Sequence, residues 1–62
     1  MKREEGEKKI DLYFDKKNIA SPTEKIFLYY EKETNPVFLC KWTNRKHVTY
    51  VVTEKGILPL PK

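Results

Sequence analysis

The sequence predicts an α+β fold, a small single domain in which an antiparallel β-meander carries one helix packed on one face. Three observations lead there. β-Prone runs begin at residues 37, 47 and 57 and are joined by short polar connections, the pattern of a meander. Ser21-Pro22-Thr23-Glu24 has the form of a capping box, with Ser at N-cap, Pro at N1 and Glu at N3, placed directly before an apolar run. The chain has 62 residues, 13% of them aromatic, enough for one core and no more, since a domain this small buries only about 60% of its unfolded surface.

Residues 1–9 hold four basic and three acidic side chains and nothing apolar after Met1, which predicts a flexible charged leader ahead of a compact domain over 10–62. Over 10–15, Ile10, Leu12 and Phe14 alternate with Asp11, Tyr13 and Asp15, the signature of a half-buried strand. Lys16-Lys17-Asn18 reads as a turn. A helix is predicted over 22–33, where Ile26, Phe27, Tyr29 and Tyr30 share one side and Glu24, Lys25, Glu31 and Lys32 the other, with Asn35-Pro36 as its stop. The same IFLYY run is also β-prone, and strand starts at 26, 37 and 48 would space an even meander. That alternative makes an all-β five-stranded SH3- or OB-like barrel.

Strands 37–42 and 47–53 form a hairpin around the connection 43–46. In this register Trp42 lies opposite His47, Cys40 opposite Thr49 and Phe38 opposite Val51, while Leu39 meets Tyr50 and Val37 meets Val52. The second set is the more uniformly aliphatic and is assigned to the core, which leaves Phe38, Trp42 and His47 facing out. Thr53-Glu54-Lys55-Gly56 is a turn with glycine at positive φ, followed by a short strand 57–60. Pro59 and Pro61 place that strand at an outer edge, because proline cannot donate into a ladder.

Composition narrows the function classes. One cysteine, Cys40, permits no internal disulfide, and Cys40 with His47 is too small a set for a structural zinc. No secretory leader or spanning segment is evident, so a reduced, cytosolic (cytoplasmic) location is expected. The candidate helix has no lysine-lined face for a membrane surface. Glycines 6 and 56 are isolated and form no phosphate cradle, and no paired acid and base suggests an enzyme, so neither cofactor nor metal is expected. Glutamine is absent and Lys plus Glu make up 18 of 62 residues, a usage reported for hyperthermophiles that an AT-rich genome would equally produce.

The charge distribution points to an anionic partner. The chain is +4 overall, and between Thr34 and Thr53 it has no Asp or Glu while Lys41, Arg45 and Lys46 are positive. The expected function is a small basic, non-enzymatic nucleic-acid-binding module using the outer face of the 37–53 hairpin, with duplex DNA as the partner. Its site residues are Phe38, Lys41, Trp42, Thr43, Asn44, Arg45, Lys46 and His47: basic groups for phosphates, aromatic rings to stack or wedge, and Thr43 and Asn44 to hydrogen-bond. The alternative is a protein-interaction module, such as an accessory subunit or a small inhibitor encoded by a virus or plasmid. There the exposed aromatics would serve as hot spots, with the cations meeting an acidic protein surface. Tyr13, Tyr29 and Tyr30 add aromatic surface that also suits a homodimer.

In size, lysine richness and a tryptophan-bearing β-surface the chain resembles the small basic chromatin proteins of thermophilic archaea, which implies an SH3-like barrel binding duplex DNA through a sheet. Residues 50–56 (YVVTEKG) also resemble the end of the wing in winged-helix repressors. No helix-turn-helix fits ahead of them, and Pro59 and Pro61 forbid the helix that would follow.

Overall fold

The lysine- and glutamate-rich start of the chain is helical. In the computed structural model, which describes residues 1–60, helix α1 runs Arg3–Lys16 and is followed by strands β1 Glu24–Glu31, β2 Asn35–Lys41, β3 Val48–Thr53 and β4 Gly56–Pro59. Glu4 and Glu5 occupy the first turn of α1 and Lys16 the last, which complements the helix dipole. Glu4 precedes Lys8, and Glu5 precedes Lys9, by four residues, the favourable orientation for such pairs. Gly6, Ile10 and Phe14 are the buried positions, spaced four apart on one stripe.

Residues 10–15 are therefore helix rather than the expected strand, and residues 3–9, expected as a leader, form the first half of α1. The reason lies in a double periodicity. Ile10 and Phe14 fit an alternation of two, but they also sit four apart, and Gly6 extends the helical stripe by another turn. Leu12, which the alternation would have buried, is 58% exposed. The helix closes on a Schellman motif: Asn18 adopts φ 58°, its N–H donates to the Asp15 carbonyl at 3.0 Å, and the Ile19 N–H donates to the Phe14 carbonyl at 2.9 Å.

The segment expected as a helix over 22–33 is strand β1 instead. The Thr23 N–H already donates to the Lys41 carbonyl at 2.7 Å, so the backbone joins the ladder where a helix would begin. β-Branched and aromatic residues from Ile26 to Tyr30 favour a pleated surface, and β2 supplies the backbone partners, so the capping-box residues go unused. Asn35-Pro36 does not stop a helix; both residues belong to β2. The β1–β2 turn holds Lys32 and Glu33 at φ 52° and 62°, with the Thr34 N–H donating to the Glu31 carbonyl at 3.1 Å. Those φ signs are those of a type I′ turn, whose twist suits a hairpin.

All neighbouring strands are antiparallel and the order is β1-β2-β3-β4, an open sheet rather than the alternative barrel. The predicted class holds, an antiparallel meander with one helix on one face, but the helix precedes the sheet. Gly56 takes φ 141° in the β3–β4 turn, as expected, and Pro59 lies on the edge strand β4. Pro61 lies outside the described residues.

The β2–β3 register differs by one residue from the expected one. Val37 pairs with Val51, Phe38 with Tyr50, Leu39 with Thr49 and Cys40 with Val48. A connection spanning 42–47 takes up the difference. The slip leaves β3 as expected, with Val52 inward, and turns β2 over, so that Phe38 and Cys40 join Val52 on the helix face. One core results, formed by Ile10, Phe14, Phe38, Cys40, Trp42, Val52 and Ile57.

Candidate interaction surface

The sheet has two faces, and α1 covers one. Under the helix, Phe14 is the hub of an aromatic cluster, meeting Tyr13, Trp42 and Tyr50 edge-on at centroid distances of 5.1, 5.3 and 5.6 Å. Gly6 lets the helix approach closely: a Cβ there would lie 2.8 Å from Pro36 Cγ and 2.9 Å from Phe38 Cε2. Lys25 Nζ donates to both carboxylate oxygens of Asp11 at 2.8 and 2.9 Å, tying β1 to the helix. Arg3 stacks on the Phe27 ring further along the same strand, 5.2 Å from its centroid.

The opposite face carries no layer. Two cross-strand rows define it. Tyr29, Val37, Val51 and Leu58 are successive register partners from β1 to β4, and Ile26, Leu39 and Thr49 form a parallel row that Leu60 extends through its N–H to the Thr49 carbonyl. In the first row the ends stand high, Tyr29 51% and Leu58 57% exposed, while Val37 and Val51 between them are 0% and 3% exposed. Ile26 and Leu28 are also exposed. The ladder shifts between Phe27 and Tyr29, and this irregularity puts Tyr29 rather than Leu28 beside Val37. Leu39, Thr49 and Leu60 border a shallow groove with His47 and Val48.

The two ends of the sheet differ in charge. At the β2–β3 connection Lys41, Arg45 and Lys46 outnumber Glu24; at the other end the β1–β2 and β3–β4 turns bring Glu31, Glu33 and Glu54 beside Lys32 and Lys55. The Met1 ammonium also reaches this second end, donating to the Thr34 carbonyl at 3.3 Å. One end is thus net positive, and the other is balanced, its three glutamates matched by Lys32, Lys55 and the Met1 ammonium.

The residues expected to bind nucleic acid divide into two groups. Phe38 is fully buried and Trp42 is 8% exposed, so neither ring presents a stacking face; this corrects the expectation that both point outward. Trp42 donates its indole N–H to the Ala20 carbonyl at 2.9 Å and is covered by Arg45, whose guanidinium lies 5.3 Å from the ring centroid. Both are core because the register slip turns β2 over. Thr43, Asn44, Arg45, Lys46 and His47 do lie together on the exposed connection, with Lys41 half-buried at its start.

Other chemistry is sparse. Cys40 is buried beneath the helix, and that burial pushes its thiol up to about 11, with Lys25 offsetting the rise only in part. His47 sits apart on the exposed connection. Among the described residues no three His, Cys, Asp or Glu side chains gather as a metal site, and no helix is long and apolar enough to cross a membrane. Tyr29, Val37, Val51 and Leu58, which define the bare face, are absent from the predicted site. The sequence groups Val37 and Leu39 with Val52 as core, and of the three only Val52 lies under the helix.

Comparisons with protein-family models, with curated proteins and with solved structures find no match to this chain.

Proposed function

We propose that the chain is a non-enzymatic protein-interaction module whose contact surface is the helix-free face of the sheet. The observation that carries this reading is that Ile26, Tyr29 and Leu58 stand exposed on the sheet face away from α1. Apolar side chains left exposed together on one face mark association sites. The partner it fits has an apolar surface to cover Ile26, Tyr29 and Leu58 and acidic groups to meet Lys41 and Lys46. Tyr29 is the natural anchor, since a tyrosine supplies large contact area for little side-chain entropy. Nucleic-acid binding through the hairpin loses the stacking rings on which it rested and retains only the charge of the basic connection.

The test is site-specific photo-cross-linking in the cell that makes the chain, with a benzophenone side chain at Leu58 on the bare face or at Leu12 on the outer side of α1. A discrete protein adduct from position 58 and none from position 12 is expected. Equal labelling from both positions, or none from either, contradicts the assignment.

A further inference from the structure

The charges of α1 are sorted between its two flanks. Asp11 and Asp15 lie on the flank toward β1, where Lys25 pairs with Asp11 at 2.8 Å. The other flank meets the β3–β4 turn in an open cleft. Lys9, Leu12, Tyr13 and Lys16, spaced as one helical stripe, line it together with Lys55 and Ile57 from the hairpin. We infer that this cleft binds a small amphipathic anion, one acidic group on an apolar body, at a site separate from the bare face of the sheet.

The lining selects that chemistry. Ile57, which is buried, and Tyr13 give the cleft apolar walls, and Leu12 adds an apolar lip that stands 58% exposed. The rim is cationic. Lys9, Lys16 and Lys55 form no ion pair among the described residues, and Glu54 is the one acid that joins them there. Lys17 stands close by, its ammonium 5.1 Å from the Tyr13 ring centroid. A bare inorganic anion would gain nothing from Leu12 and Ile57, and a neutral apolar molecule would leave the lysines unmatched.

Size narrows the ligand further. The cleft has a volume of about 260 Å³, just below the ~300 Å³ at which pockets for drug-sized ligands begin. It holds a fused pair of rings or a short chain. Its hairpin side is formed in advance, because the Thr53 hydroxyl donates to the Gly56 carbonyl at 2.8 Å and holds the turn that carries Lys55.

The test titrates naphthalenesulfonate into the isotope-labelled full chain at low salt, read by amide NMR, with naphthol as the neutral counterpart. Saturable shifts centred on residues 12–13 and 53–57 are expected, half-complete below about 1 mM, the range of weak small-ligand binding. The sulfonate should bind several-fold more tightly than naphthol, and high salt should close the gap. Lys16→Glu should weaken the sulfonate several-fold and leave naphthol unchanged, with a circular dichroism spectrum matching the parent. Should that variant fail to fold, the salt-dependent preference of the parent chain decides alone. Shifts absent to several millimolar, shifts centred on the connection 43–47 or on the bare face, or equal affinity for the two probes would each overturn the site. So would a folded Lys16→Glu chain that binds the sulfonate as the parent does.

Discussion

The two faces of the sheet draw on similar amino acids and end in different surroundings. Beneath α1, Phe38, Cys40, Val52 and Ile57 meet Ile10 and Phe14 and form a continuous core with Trp42. On the other side Val37 and Val51 are as well buried although no helix lies over them, with Tyr29 and Leu58 left standing in solvent. A single 14-residue helix covers one face of a four-stranded sheet and leaves nothing for the other. Fractional burial of a valine therefore says little about whether its face is finished; what matters is whether a layer lies above it.

Substitutions sort by face, and the largest effect belongs to Trp42. Trp42→Ala removes one of the core's large rings from beside Phe14 and breaks the hydrogen bond to the Ala20 carbonyl, and is expected to cost about 3–5 kcal/mol. A domain of this size has a total stability of only about 3–9 kcal/mol. Urea denaturation should show the variant largely unfolded or close to it. A stable, folded Trp42→Ala protein would mean that the covered face is not the core.

Gly6→Ala comes next, and its sign is the informative part. Helix propensity alone would favour alanine by about 1 kcal/mol. The Cβ would instead press on Pro36 and Phe38, a core overpacking that costs about 1–3 kcal/mol. A net loss in thermal midpoint is expected, and a gain would show that α1 sits further from β2.

Cys40 provides a pH-dependent check. Its thiol is raised from 9.0 to about 11 by burial, so the native state keeps its proton over a range where the unfolded chain has released it. Its contribution is complete below pH 9 and is lost as pH rises toward 11. Tyr50, raised chiefly by burial as well, acts in the same direction. Stability measured across that window should fall, less steeply in Cys40→Ala, and native Cys40 should react with a thiol reagent only as fast as the chain opens.

A smaller effect belongs to the ion pair that ties β1 to α1. Asp11→Asn should lower stability by about 0.2–1 kcal/mol, the range for partly exposed pairs, and by less at high salt. Chemical denaturation at two salt concentrations measures it. The smallest stability effect falls on the bare face, where Leu58→Glu should change the unfolding free energy by no more than about 0.5 kcal/mol. A strongly destabilised Leu58→Glu monomer would mean that this face packs within the chain.

Much of the architecture was legible in the residues themselves. The hairpin over 37–53, the glycine turn at 56 and the edge placement of Pro59 follow from turn chemistry and β propensity, both local properties. The helix was misplaced because local signals competed. Ser21-Pro22-Thr23-Glu24 caps a helix only if the next residues lack a strand partner, and β2 provides one. The true helix hid in a stretch of Lys and Glu whose lone apolar stripe begins at a glycine, a residue that signals close packing only once the sheet is known. The outward placement of Phe38 and Trp42 fails by one residue of register: a connection spanning 42–47 instead of 43–46 turns both rings inward, and no local rule sets that length.

The most direct measurement is a methyl-resolved NMR titration of the unmodified chain with a soluble nitroxide. If the face away from α1 carries no layer, the methyl signals of Ile26 and Leu58 broaden strongly while those of Ile10, Val52 and Ile57 are spared. Broadening confined to the connection 43–47 or to the outer side of α1, with the Ile26 and Leu58 methyls spared, would contradict it.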